Sequence, residues 1–131
     1  GLAQFDQTFT TRRRHLSRLW SLLAPLEDRL ILYRDGPGEI TCPHAVPLVL
    51  RDARASVERF YQFLEERSIQ CKTLFGSLPT QHRAFTFMGY KPGSFPVAER
   101  IGRTGLHFGV HQYLTDDDIE YAAESVASYF A

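Results

Sequence analysis

The sequence predicts an α+β domain with a small antiparallel or mixed sheet and helices packed mainly on one face. The chain has 131 residues, the length of one ordinary domain. Hydrophobic residues make up 44% of it and aromatic residues 13%, enough to build a core. Helical patterns alternate with short apolar runs in the order helix, strands, helix, strand, two short helices, strand, helix.

Residues 4–24 form the first predicted helix. Its apolar side chains recur at spacings of three and four residues; they are Phe5, Phe9, Leu16, Leu19, Trp20 and Leu23. Pro25 is expected to end this helix because proline clashes with the preceding turn and lacks an N–H group. Arg12-Arg13-Arg14 is the one basic cluster, and we interpret it as the solvated face of the helix.

Four short apolar runs are the predicted strands. They are residues 30–33, 45–50, 69–75 and 106–110. Pro47 lies inside the second run and predicts an edge strand or a bulge, because proline cannot donate to a strand ladder. The sequence DGPG at 35–38 predicts a turn, since glycine and proline provide the backbone angles that turns need.

Four further helices follow from helical spacing and from turn residues. They are expected at residues 53–67, 79–88, 95–102 and 114–130. Gly89 ends the second of these with a left-handed C-cap, and Pro96 suits the first turn of the third. Thr115 and Asp118 resemble a capping box at the start of the last helix. The neighbouring aspartates also favour the positive end of the helix dipole.

Composition excludes several classes of function. The 15 basic and 15 acidic residues balance, so the chain lacks the positive charge on which nucleic-acid binding depends. No apolar run approaches the roughly 18 residues of a membrane span, and the N-terminus lacks the layout of a signal peptide. We therefore expect a cytoplasmic protein whose Cys42 and Cys71 stay reduced.

No metal site is expected from the five histidines. His107 and His111 are the closest pair in the sequence. Within one strand their side chains would point to the same side about 13 Å apart, which is too far for one metal ion. Neither cysteine has a histidine at a zinc-finger spacing.

Two polar segments follow predicted strands and precede predicted helices. They are FGSLPTQ at 75–81 and GVHQ at 109–112. Loops that face ligands are common at such positions, but ordinary turn chemistry explains the residues as well. P-loop, GxSxG, HExxH and Rossmann patterns are absent. The residues alone therefore leave binding and turn formation both open.

The second half of the chain resembles the C-terminal segment of the DegT/StrS-type nucleotide-sugar aminotransferases. The family pattern GYxxGx(F/L)PxAE is matched by Gly89, Tyr90, Gly93, Phe95, Pro96, Ala98 and Glu99. The later pattern LTxxx(I/V) is matched by Leu114, Thr115 and Ile119. The arginine-containing first helix is similar to the one that begins the family's small domain, so the resemblance covers roughly residues 12–130.

The resemblance implies a fold-type I enzyme that uses pyridoxal phosphate (PLP). Such enzymes are usually homodimers, and they act on nucleotide-linked keto sugars for lipopolysaccharide, other surface polysaccharides or antibiotics. One branch dehydrates the sugar at C3 instead of transferring an amino group. The segments at 75–81 and 109–115 are closer to this dehydrase-like branch.

The resemblance also implies that residues 1–131 are a C-terminal small domain alone. In the family the cofactor lysine and the phosphate-binding residues lie in a large N-terminal domain, and neither Lys72 nor Lys91 occupies the Schiff-base position. We therefore expect this chain to bind no PLP and to be inactive by itself. An independent binding module that has lost its catalytic domain is the alternative.

Five residues are predicted to contact the sugar nucleotide by position within this resemblance, with core packing as an equal alternative for Phe75. They are Phe75, Ser77, Gln81, His111 and Gln112. An excised domain should also self-associate or form a homodimer through an exposed apolar face. The candidates for that face are Phe5, Phe9, Trp20 and Tyr33. An independent module would instead be monodisperse.

Overall fold

The computed structural model describes residues 2–74, 78 and 82–131. Within these residues four strands form one antiparallel sheet in the order β1-β2-β4-β3. The strands are β1 (Leu30–Leu32), β2 (Ala45–Leu50), β3 (Cys71–Thr73) and β4 (Gly105–Gly109). The predicted α+β class with an antiparallel sheet is confirmed.

Four α-helices accompany the sheet in the described part of the chain. They are α1 (Phe5–Leu23), α2 (Val57–Glu65), α3 (Pro96–Thr104) and α4 (Asp116–Tyr129). The helix expected before Gly89 is a 3-10 helix, Arg83–Met88, and Gly89 ends it with a φ of 73° as predicted. None of the helices in these residues is long and apolar enough to cross a membrane.

The strand register gives the sheet two different faces. Leu48 lies opposite Leu106, and Val46 lies opposite Phe108. These residues alternate along their strands and point to one face, where α1, α2 and α4 contribute to the same core. Phe60 of α2 is fully buried there, with its ring centroid 4.7 Å from that of Tyr129.

The opposite face carries α3. Ile101 of α3 lies close to Val49 and Gly105, and an added Cβ at Gly105 would be 2.7 Å from the carbonyl oxygen of Ile101. Helix α3 ends at Thr104 and β4 begins at Gly105, so the helix and the strand are continuous. Glycine at this junction therefore permits the close approach of α3 to the sheet.

Pro47 lies neither on an edge strand nor in a bulge, so that prediction is wrong. Strand β2 pairs with both β1 and β4, and its register with β4 is continuous through Pro47. However, the pairing with β1 ends where Leu32 meets Leu48, so Pro47, which precedes Leu48, has no partner in β1. A missing N–H is tolerated because the strand is paired on only one side at this residue.

Trp20 is not part of an exposed apolar face, contrary to the prediction. It is 9% exposed and belongs to the core. The guanidinium carbons of Arg13 and Arg34 lie 5.9 and 5.8 Å from the centroid of its ring, within range of a cation–π contact. Phe5 (59% exposed) and Tyr33 (46% exposed) are exposed as expected, and Phe9 is half-buried.

The glycine-rich turn at 89–96 is held by the carboxylate of Glu99. The N–H of Gly93 lies 2.9 Å from each of its oxygens, and the N–H of Phe95 donates to Oε1 at 3.1 Å. Gly93 has a φ of 93°, which disfavours residues with a side chain. The turn is therefore a structural unit that starts α3 at a fixed position.

Both cysteines are free. Cys71 is buried in β3, whereas Cys42 is half-buried. Burial raises the pKa of the Cys71 thiol to about 12, and the nearby anionic Glu65 adds to this effect. Cys71 is therefore a core residue and not a nucleophile.

The predicted capping box of α4 is confirmed, and it gives a first testable prediction. The Thr115 hydroxyl accepts from the N–H of Asp118, and the Asp118 carboxylate accepts from the N–H of Thr115 at 2.7 Å. We expect Thr115→Ala to lower the free energy of unfolding by about 1 kcal/mol at pH 7, measured by urea unfolding.

The capping box also predicts a pH dependence. Hydrogen bonds from the backbone and hydroxyl of Thr115 lower the pKa of Asp118. A lowered pKa in the folded state stabilises the protein above the ordinary pKa of about 3.9, and this contribution is lost as pH falls through the lowered value. The difference in the free energy of unfolding between Thr115→Ala and wild type should therefore become smaller in acid. Equal free energies of unfolding of the two proteins at pH 7 would contradict the stabilising role of the capping box.

Candidate functional site

The loop between β4 and α4 presents the two predicted site residues that the structure describes. Val110 is fully buried, and its N–H donates to the carbonyl of His44 at 3.0 Å. The N–H of Leu114 donates to the carbonyl of His111 at 3.3 Å. Anchored at both ends, the loop presents His111, Gln112 and Tyr113 at the surface. It is the basis of the candidate site.

His111 lies beyond β4, in agreement with the predicted strand at 106–110, because the strand ends at Gly109. Its side chain is exposed, and its Nδ1 accepts from the N–H of Tyr113 at 3.3 Å. In the neutral ring the proton is then on Nε2, which can donate to a ligand.

His111 lines a cleft of about 500 Å³, called the His111 cleft below. The α2–β3 connection, the end of β4 and α4 form its walls. The lining residues are Arg67, Ser68, Ile69, Gln70, Phe108, Gly109, His111, Leu114, Asp118, Tyr121 and Ala122. The Tyr121 hydroxyl donates to the carbonyl of Arg67 at 3.1 Å, which ties α4 to the opposite wall.

Gln112 faces a different cleft, although it follows His111 directly. This second cleft measures about 160 Å³ and is called the glutamine cleft below. It is lined by Gln4, Gln7, Thr8, Thr11, Gln112 and Tyr113. Arg12 of α1 donates through Nε to Oε1 of Gln112 at 2.9 Å. The loop therefore separates two clefts, with one predicted residue on each side.

The arginine cluster is only in part the solvated face that was predicted: Arg14 is exposed, whereas Arg12 and Arg13 are half-buried. Arg12 holds Gln112, and Arg14 lies 3.2 Å from the carboxylate of Asp116. Arg13 forms an ion pair of 2.6 Å with Asp35. Each arginine thus makes a specific contact with another segment, and two of the three fix α1 against the loop and the start of α4.

His15 is a fully buried polar residue beside this contact. Its Nε2 lies 3.8 Å from Oδ1 of Asp116, and neither ring nitrogen has a hydrogen-bond partner among the described residues. Sequence reasoning did not single out this histidine. Its spacing of four residues from the core residue Leu19 was the signal for burial.

The other three predicted site residues, Phe75, Ser77 and Gln81, lie outside the described residues. The strand that leads to them ends at Thr73, which pairs with Leu106 near the start of β4. The loop with His111 and Gln112 follows the other end of β4. Thr73 and Gly109, the last residues of β3 and β4, therefore lie at opposite ends of the β3–β4 pair.

Lys72 is exposed on the edge strand β3 and Lys91 is exposed in the glycine-rich turn; neither lines the His111 cleft or the glutamine cleft. Lys72 lies opposite His107, whose pKa is lowered by burial and by the nearby charges of His44 and Lys72. The described residues also contain no group of three His, Cys, Asp or Glu side chains placed to bind a metal.

Comparison with known sequences assigns almost the whole chain to one family. Residues 1–127 match the DegT/DnrJ/EryC1/StrS aminotransferase family. A curated relative from Saccharopolyspora spinosa, dTDP-4-dehydro-2,6-dideoxy-D-glucose 3-dehydratase, is 28% identical over 138 positions. That alignment covers 99% of this chain but 28% of the relative.

Solved structures show the same fold and the same partial coverage. S. venezuelae DesV matches with a TM-score of 0.86 and 20% identity over 98% of this chain and 33% of its own. An aminotransferase of the family from Brucella abortus matches with a TM-score of 0.81 and 17% identity, over 98% of this chain and 32% of its own. E. coli GDP-4-keto-6-deoxy-D-mannose-3-dehydratase with bound hydrated PLP matches with a TM-score of 0.80 and 16% identity, over 95% of this chain and 32% of its own. This chain therefore spans about a third of each enzyme.

Proposed function

Because the chain belongs to the DegT/DnrJ/EryC1/StrS aminotransferase family, we propose that it is the C-terminal small domain of a PLP-dependent enzyme acting on nucleotide-linked keto sugars. One observation carries the proposal. The whole chain superposes on about a third of enzymes such as DesV, with 98% of this chain but 33% of that one covered. In this proposal the PLP site and the catalytic lysine belong to a large domain outside this chain.

The proposed reaction is transamination of the sugar, the activity in the family's description. Dehydration at C3 is the second candidate. Dehydration is favoured by the 28% identity to the Saccharopolyspora 3-dehydratase, because this identity is higher than the 20% or less of the solved structures described above. The destination of the sugar, lipopolysaccharide or another surface polysaccharide, is part of the same proposal.

The role proposed for this domain is to form the substrate side of the active site. His111 offers its Nε2 proton, and Gln112 offers an amide, to the oxygen atoms of a sugar nucleotide. Phe75, Ser77 and Gln81 complete the proposed set of contacts. Because reacting groups need precise placement, the anchored loop suits this role.

A second proposed role is packing against the rest of the enzyme. A groove of about 290 Å³ lies where α3 meets the sheet, lined by Ile31, Tyr33, Val49, Pro96, Val97, Arg100 and Ile101. Val97 is 71% exposed beside it. We expect this groove to be covered by a large domain or by a second subunit in a homodimer, and to promote self-association of the isolated chain.

The PLP test has a defined outcome for this chain. The protein is incubated with PLP and reduced with borohydride, and its mass is measured. We expect no stoichiometric pyridoxyl adduct. A single saturable adduct that disappears in Lys72→Arg or in Lys91→Arg would contradict the assignment of the cofactor site to another domain.

The substrate-side role is tested separately by titrating the labelled chain with dTDP-glucose and recording backbone amide NMR spectra. We expect saturable shifts at residues 110–115, and His111→Ala should weaken them. A matched control is His44→Ala, which removes an exposed imidazole that lines neither cleft and keeps the backbone carbonyl that accepts from Val110. Shifts confined to other parts of the chain would overturn the role proposed for this loop.

A further inference from the structure

We propose that the glutamine cleft binds the ring of a saccharide through uncharged hydrogen-bonding groups. The inference rests on the proposed function and deepens it, because it assigns the sugar part of the substrate to one of two clefts. Four features of the cleft support this: its polar helical wall, the fixed orientation of Gln112, the exposed ring of Tyr113 and its volume.

The helical wall is a polar stripe. Gln4, Gln7, Thr8 and Thr11 have the spacing i, i+3, i+4, i+7, which brings them onto one side of α1 and the turn before it. Amides and hydroxyls both donate and accept hydrogen bonds. None of these four side chains has a hydrogen-bond partner among the described residues, so these groups remain available to a ligand.

The loop side of the cleft has a fixed donor. Arginine can only donate, so the contact of 2.9 Å from Arg12 Nε identifies the Gln112 atom that faces it as the amide oxygen. The two N–H donors of the Gln112 amide therefore point away from Arg12. Arg12 acts as a positioning residue because it sets which atoms of Gln112 a ligand meets.

Tyr113 adds an aromatic ring to the glutamine cleft. Its ring is 81% exposed at the mouth of the cleft. An aromatic ring beside amides and hydroxyls matches a sugar, which has apolar C–H faces and hydroxyl groups that both donate and accept. The six lining residues carry no charged side chain, so an anion such as a diphosphate gains no ion pair from them.

The size of the cleft matches a single ring. A volume of 160 Å³ equals that of about five water molecules at roughly 30 Å³ each. This is room for a monosaccharide but not for an attached nucleotide. The nucleotide of a sugar nucleotide would therefore have to lie outside the glutamine cleft.

The experiment is a titration of the labelled chain with D-glucose, followed by NMR of the glutamine side-chain amides and the backbone. We expect saturable shifts at Gln4, Gln7 and Gln112. Gln112→Ala should weaken binding about tenfold because it removes two donors. Gln62→Ala is the matched control, since Gln62 is an exposed glutamine on α2 and should leave the affinity unchanged.

Arg12 has its own test. Arg12→Ala should weaken D-glucose binding several-fold and change the shifts of the Gln112 side-chain amide in the free protein. Arg12→Lys should restore part of the affinity, because lysine can also donate to the Gln112 oxygen. If Arg12→Ala loses thermal stability while its affinity for D-glucose is unchanged, the positioning role is wrong.

Two outcomes would overturn the inference while the assignment of the chain to a nucleotide-sugar enzyme stands. One is the absence of shifts at Gln4, Gln7 and Gln112 at saturating dTDP-glucose, while residues around the His111 cleft do shift; the substrate-side role would then rest on His111 without Gln112. The other is an equal response to glycerol, which would mean that the cleft accepts any polyol. If neither D-glucose nor dTDP-glucose shifts any residue of the β4–α4 loop, the sugar site and the substrate-side role of this loop are both wrong.

Discussion

Gly105→Ala is expected to lower the free energy of unfolding by about 3 kcal/mol, the upper end of the usual cost of overpacking. A Cβ at this position would lie 2.6 Å from Cδ1 of Leu74 and 2.7 Å from the carbonyl oxygen of Ile101. The leucine side chain can move, but the carbonyl belongs to the backbone of α3. The helix would therefore have to shift away from the sheet.

The measurement is urea unfolding with the slope of the transition recorded as well as its midpoint. Gly109→Ala is the matched control at the other end of the same strand. There an added Cβ meets its nearest atom at an ordinary distance of 3.4 Å, so the change should stay within about 1 kcal/mol of wild type. Equal effects of the two alanines would show that α3 does not pack as closely as described.

Glu99→Ala is expected to have the second large effect and to lower the free energy of unfolding by about 2 to 3 kcal/mol. Hydrogen bonds to a charged group contribute more than neutral ones, and this carboxylate accepts from both Gly93 and Phe95. Without it the turn before α3 loses these side-chain hydrogen bonds and keeps the backbone bond from the N–H of Glu99 to the carbonyl of Phe95. The start of α3 should then fray, together with the groove that it lines.

Urea unfolding and the helical circular dichroism signal would measure the effect of Glu99→Ala. Glu99→Gln should fall between the alanine variant and wild type, because its single amide oxygen replaces a carboxylate. Glu124→Ala is the control, since Glu124 is exposed on α4 and such surface changes usually stay within about 0.5 kcal/mol. If Glu99→Ala lowers the free energy of unfolding no more than this control does, the carboxylate does not stabilise the turn.

Local sequence signals predicted the parts of the fold that depend on local chemistry. The capping box at Thr115, the left-handed C-cap at Gly89 and the N-terminal proline of α3 at Pro96 are all confirmed. In each of these, the residues that interact lie within a few positions of one another. Their chemistry is therefore visible in the sequence before the fold is known.

Errors arose where long-range contacts decide the outcome. Trp20 looked like an exposed apolar residue, but arginines from two separate segments cover its ring. The interior position of β2 could not follow from Pro47 alone, because it depends on how far β1 extends along its neighbour. Strand order and partner length are tertiary properties, so local propensity does not determine them.

The candidate site was only partly accessible to sequence reasoning. His111 and Gln112 were found because polar residues stood between a strand and a helix. The polar stripe on α1 was missed, since the search there followed the apolar spacing. The contact between Arg12 and Gln112 joins positions 100 residues apart, so only the fold brings them together.

The continuity of α3 and β4 places two surfaces at the two ends of one strand. No loop separates Thr104 from Gly105, so α3 leads directly into β4. Strand β4 is paired on both sides, with β2 and β3, and its other end leads into the loop of His111 and Gln112. A body that covers the groove beside α3 and a ligand that binds the loop would therefore contact the domain at opposite ends of the same paired strand.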